Sequence, residues 1–87
     1  QEFNIYLKKE IKERDNYICQ LCNIQLEKQR RIKINPNSNW ATVHHIDYNK
    51  RNCSKENLIT LCHFCNVSVN TKRDEWTKFF KIKIDKN

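Results

Sequence analysis

The chain of 87 residues has no glycine, no methionine and a single proline. Without glycine it cannot carry the Gly-rich phosphate loops of the P-loop or dinucleotide-binding kind, in which backbone must approach phosphate closely. Hydrophobic residues make up only 38% of the chain. A domain of this length buries about 60 to 65% of the surface that its unfolded chain exposes. The core is therefore thin, and small scaffolds of this kind rely on disulfides or a metal. No run approaches the roughly 18 apolar residues of a membrane span. The opening stretch QEFNIYLKKE lacks the apolar segment of a secretory signal. Repeats, low-complexity segments and an obvious linker are missing as well. Together these absences point to one soluble, intracellular domain over residues 1–87, in a compartment where thiols stay reduced.

Acidic residues are the minority charge. Lys plus Arg number 17 against 10 Asp plus Glu, a formal net charge of +7. So much positive charge on a small body attracts polyanions, nucleic acid first among them. A merely solubilising surface is the alternative reading.

Phe3, Leu7 and Ile11 recur at helical spacing, which predicts an amphipathic helix over about 3–14 with Asn4 as its cap. A tight knuckle, YICQLCN, follows. Residues 24–31 are polar and ambiguous. RIKIN and WATVHH flank the turn PNSN, which predicts a hairpin with strands near 31–35 and 40–45. DYNKRNCSKEN reads as a polar loop and LITLC as a short strand. HFCNVSVNTK reads as a short helix. A last helix is expected from about Asp74, packing Trp76, Phe79 and Phe80, although FKIKI also alternates like extended chain. The fold class expected is α+β.

Five cysteines are present. Four of them form two knuckles, Cys19-x-x-Cys22 and Cys62-x-x-Cys65. One CxxC turn offers two thiolates to an ion, and two such turns complete a tetrahedral sulfur shell. A disulfide pairing or a redox dithiol would be the other uses, but no thioredoxin-like pattern surrounds either knuckle. With four thiolates the ion, zinc by its ligand set, has no open position and is structural. Folding and metal binding are then linked. Cys53 is left over and is expected to pack as a small buried residue.

Two of the three histidines, His44 and His45, stand side by side at the end of the apolar run. Neighbours in a strand point to opposite faces, so one metal ligand and one general base is the easier division of labour. Asn57, Asn66 and Asn70 follow, the last two at helical spacing. Imidazole and carboxamide groups together suit a hard cation such as Mg2+ or Mn2+.

The run VHHIDYNKRNCSKENLITLCHFCN resembles the HNH endonucleases, the ββα-metal nucleases of phages, mobile introns and bacterial defence. The resemblance spans about residues 14–80. It implies a zinc-stapled ββα-metal fold with flanking N- and C-terminal helices, working in a bacterial or phage-infected cytoplasm. His45 resembles the base that deprotonates the attacking water, and His44 the metal ligand. Asn57 resembles the middle Asn that braces the loop and orients the catalytic His. Asn66 stands where the motif usually ends in His, as in an H-N-N subgroup. Asn70 stands where some relatives place a further ligand. Either amide could bind the catalytic Mg2+ or Mn2+, with Asn66 favoured. His63 is not expected to be catalytic, and Asp47 could hydrogen-bond a histidine or sit near the metal.

Lys50, Arg51, Lys55, Lys72 and Arg73 are the cations nearest the motif, and Lys72 and Arg73 are expected to grip phosphate. Lys28, Arg30, Arg31 and Lys33 form a second cluster. The activity expected is a DNA endonuclease or nickase, and the resemblance implies 5′-phosphate and 3′-hydroxyl ends. A non-catalytic zinc-ribbon DNA-binding module and a protein-interaction zinc module are the alternatives. Nothing resembles a separate sequence-reading module. Specificity would then be weak or supplied by a DNA-targeting domain or partner elsewhere. One active site cuts one strand, so a double-strand break would need a homodimer or two visits.

Overall fold

The computed structural model of the chain describes residues 3–27 and 40–85. Within them, helix α1 (Ile5–Arg14) is followed by the cysteine knuckle, strand β1 (Ala41–His45), a polar loop, strand β2 (Leu58–Cys62), helix α2 (His63–Ser68) and helix α3 (Arg73–Asp85). The expected strand at 31–35 and the basic cluster Lys28, Arg30, Arg31 and Lys33 lie outside the described residues.

Helix α1 starts where the sequence places its cap. Asn4 accepts a hydrogen bond from the Leu7 amide at 3.0 Å, which satisfies one of the free donors of the first turn. Leu7 and Ile11 face inward, and Lys12 and Arg14 lie in the last turn, where cations suit the helix dipole.

β1 pairs antiparallel with β2, with Val43 opposite Thr60, His44 opposite Ile59 and His45 opposite Leu58. All five residues of β2 are buried, because both faces of the two-stranded sheet are covered. On one face Leu58 packs with Leu7, Ile11 and Cys53, and Val43 and Phe3 join them. On the other, Ile59 and Leu61 pack with Ile46, Val69 and Phe80. The sheet thus lies between α1 and α3. Cys53 is buried as expected, on the α1 side.

α2 is shorter than expected. It stops at Ser68, whose hydroxyl turns back to the Phe64 carbonyl at 2.8 Å, a local bond that competes with helix continuation. The chain then reverses through Lys72 at φ 53°. α3 continues to Asp85, so FKIKI is helical. Its buried stripe is Trp76, Phe80 and Ile84, four residues apart, whereas Phe79 is 46% exposed. Among the described residues no helix is long and apolar enough to cross a membrane.

In a chain without glycine, left-handed backbone falls to other residues. Asn16 and Asn23 tolerate it, but Tyr17, Tyr48 and Lys72 also adopt positive φ. For such side chains this costs about 1 to 2 kcal/mol each, so surrounding contacts must hold them there.

Candidate functional site

The knuckle after α1 is closed by backbone. Cys19 donates its amide to the Ile24 carbonyl at 3.0 Å, and the Asn23 amide returns to the Cys19 carbonyl at 2.8 Å. A third bond, Gln20 amide to Thr60 carbonyl at 3.0 Å, ties the knuckle to β2. Cys62 ends β2 and caps α2, and Cys65 lies in the first turn of α2. The fold thereby brings the sulfurs of Cys19, Cys22, Cys62 and Cys65 within 4.8 Å of one another. Cys22 and Cys62 are 3.8 Å apart at sulfur, the spacing of about 3.8 Å that a tetrahedron with metal–sulfur bonds of about 2.3 Å requires. The amides of Cys22 and Cys65 point at the sulfurs of Cys19 and Cys62, at 3.5 and 3.4 Å, as suits thiolates. Burial raises the Cys19 thiol, but amides of Cys22, Cys62 and Leu21 outweigh it and bring the group down to about 7. Burial and the neighbouring thiols push Cys62 and Cys65 up. Four such sulfurs in one place can hold a structural metal ion such as zinc.

A separate open cleft of about 540 Å³ lies where β1 ends. Both histidines line it, from opposite faces of the sheet, as strand alternation requires. His44 faces α3, with its ring 4.8 Å from that of Tyr48 and 5.7 Å from that of Phe80. His45 faces α1, with its ring 4.5 Å from that of Phe3 and its Nε2 3.8 Å from the Cys53 sulfur. Among the described residues the sheet has two strands, and one cleft reaches both rings. His44 is only 6% exposed, and its Nε2 is buried without a hydrogen-bond partner. Burial, then the charges of His45 and Arg73, lower its pKa to about 4. Burial also lowers His45, with Lys50 and Lys8 adding to the effect and Asp47 opposing it. Both rings therefore favour the neutral form at pH 7; the His44 Nε2 has no partner, and the His45 Nε2 faces the Cys53 sulfur.

Asn57 is buried and braces the loop that follows the histidines. Its side chain donates to Asp47 and to the Asn52 carbonyl, each at 2.9 Å, and accepts from the Asp47 amide at 3.1 Å. Its carbonyl receives the Ile46 amide at 2.7 Å. Asp47 takes further bonds from the Asn49 amide and the Asn52 side chain. Burial raises the Asp47 carboxyl, yet these donors hold it below its ordinary value. It organises the loop.

Asn66, Asn70, Arg73 and Lys50 also line the cleft. The fold therefore gathers both histidines, both candidate amides and two of the five expected cations. Asn57 stands behind the cleft as a brace. Lys72 and Arg51 are exposed and are not among its walls. Lys55 forms an ion pair with Glu10 of α1 and borders a different hollow with Arg14 and Asp15. His63 is exposed and stacks near Trp40, with 5.0 Å between ring centres. Sequence reasoning did not place Phe3, which walls the His45 side, or Tyr48, which contacts His44, in a site. An aromatic residue inside the otherwise polar run DYNKRN was the one signal for Tyr48.

No family model matches the chain, and neither a curated protein nor a solved structure does. The functional reading rests on the chemistry of the two sites.

Proposed function

We propose that the chain is a metal-dependent DNA endonuclease or nickase of the HNH type, with a structural zinc ion on Cys19, Cys22, Cys62 and Cys65. The observation that carries this reading is the buried, unpartnered Nε2 of His44, in a cleft that His45, Asn66, Asn70 and Arg73 also line. A buried imidazole nitrogen without a partner is costly, and a cation would satisfy it. One soft-enough nitrogen with amide oxygens suits a weakly held Mg2+ or Mn2+. Such an ion would supply charge neutralisation at the scissile phosphate and at the leaving 3′ oxygen.

The residues divide the remaining work. His45, neutral at pH 7, accepts a proton from water as the water oxygen attacks phosphorus. The bond from phosphorus to the 3′ oxygen breaks, and a proton from solvent completes the 3′-hydroxyl. Arg73 and Lys50 hold the backbone phosphates. Asn57 keeps the loop after β1 in place so that both rings hold their positions.

The test is nicking of supercoiled plasmid by zinc-loaded protein with Mg2+ or Mn2+, with the divalent ion omitted as control. Nicked product is expected from the parent. His45→Ala is expected to cut at least about 100-fold more slowly while binding DNA as before. Equal rates from the two proteins would overturn the base assignment. DNA binding without nicking under any ion would favour a zinc-ribbon binding module.

A further inference from the structure

Tyr48 touches three parts of the cleft at once. Its ring meets the His44 ring edge-on at 4.8 Å. The Arg73 guanidinium lies over the same ring, 4.8 Å from its centre. Its hydroxyl donates to the Val69 carbonyl, at the end of α2, the helix that carries Asn66. The residue reaches this position with a left-handed backbone, φ 63°, in a turn closed by its amide to the His45 carbonyl at 3.0 Å. A side chain held in a disfavoured conformation by contacts on three sides is a positioned one.

Arg73 makes the choice of an aromatic seat informative. It has no carboxylate partner among the described residues, and its Nε is directed at the Asn70 carbonyl at 3.4 Å. A carboxylate seat would orient the guanidinium and quench its charge. An aromatic face orients it and leaves the charge and the outer donors for an anion. We propose that Tyr48 is a positioning residue that aims Arg73 at a backbone phosphate in the cleft and steadies the His44 ring beside it. This rests on the reading of the cleft as a phosphodiester site.

The test uses the zinc-loaded full chain and a fluorescein-labelled DNA duplex without Mg2+, with affinity measured across salt concentrations. Tyr48→Leu is expected to weaken binding about three- to tenfold and to flatten the salt dependence as Arg73→Ala does. In an Arg73→Ala background, Tyr48→Leu should change neither further, whereas its effect should persist in a Lys50→Ala background. Tyr48→Phe keeps the ring and should restore the parent's salt dependence. Parental binding by Tyr48→Leu, or equal effects in both backgrounds, would overturn the role. Should Tyr48→Leu not fold, the Arg73 side-chain proton signals of the parent decide: ring-current shifts to high field are expected, and unshifted signals would overturn the proposal. If the parent binds no DNA, the nuclease reading fails, and with it the phosphate role of Tyr48. Normal binding with parental cleavage by His45→Ala faults only the base assignment.

Discussion

Lowering the pH from 7 protonates His44 in the unfolded chain well before it does so in the folded one. Unfolded, the imidazole titrates near 6.5. Folded, it is 6% exposed, lies against the rings of Tyr48 and Phe80 and has its pKa lowered to about 4. Above pH 6.5 both states hold a neutral ring, and this contribution to stability is fully present. As pH falls towards about 4 the unfolded chain gains a proton that the folded chain refuses, so stability is lost. At about 1.36 kcal/mol for each pH unit, the gap between 6.5 and about 4 amounts to roughly 3 kcal/mol. That is most of what a core of this size supplies. The cysteines also take up protons in this range, so the parent alone cannot isolate the effect. His44→Leu keeps the cysteines and cannot titrate at residue 44. Urea unfolding of both zinc-loaded proteins between pH 7 and 4, without Mg2+, should show the parent losing about 3 kcal/mol more than the variant. Parallel losses would refute a buried, neutral His44.

Removing the metal by chelation, or by Cys62→Ser, should abolish cooperative melting, because the thin core supplies only about 3 to 5 kcal/mol. Circular dichroism with zinc analysis reads this, and an unchanged melt without bound zinc would exclude a structural ion. Asn57→Ala leaves the Asp47 amide and the Asn52 carbonyl without their partner and should cost about 2 to 3 kcal/mol in urea unfolding. A loss below about 0.5 kcal/mol would mean that the loop holds itself. Burial lowers His45 below the ordinary imidazole value, with Asp47 in opposition. Cleavage should therefore rise with pH, with its midpoint below the ordinary imidazole value; a midpoint above that value contradicts a buried imidazole base. Arg73→Ala should lower the slope of log affinity against log salt by about 0.9, the loss of one phosphate contact. Lys55→Ala, whose target is paired with Glu10, should leave the slope alone, and the reverse ranking would move the DNA path away from the cleft.

Local signals in the chain were readable where neighbours in sequence are also neighbours in space. Asn4 with Leu7 and Ile11 marks α1, and two CxxC turns mark the sulfur cluster, because each is complete within a few residues. Tertiary features were less legible. β1 and β2 each look like strands, yet their mutual pairing depends on a loop whose closure by Asn57 and Asp47 has no periodic pattern. W-x-x-F-F leaves open which ring of the pair faces inward, and only packing against Val69 and Ile59 selects Phe80 over Phe79. Lys55 sits in the basic loop by sequence, but folding sets it beside Glu10, a residue from the first turns of the chain. Tyr48 owes every contact to other elements, so only its chemical contrast with its neighbours hinted at it.

The two sites are not independent, and the junction of β2 with α2 is the reason. A helix of six residues is too short to persist by its own hydrogen bonds. It is held by its cap, in which the Cys65 amide donates to the Cys62 sulfur, and by the hydroxyl of Tyr48 at its far end. Asn66 follows Cys65 directly, so whatever fixes the four sulfurs also fixes one wall of the cleft. The other wall is β1, and its place is set by pairing along β2, where Ala41 sits opposite Cys62. An ion on the thiolates would therefore locate His44, His45 and Asn66 together without touching any of them. The cleft lies where β1 ends, and the rings of both neighbouring histidines reach it from opposite faces of the two described strands.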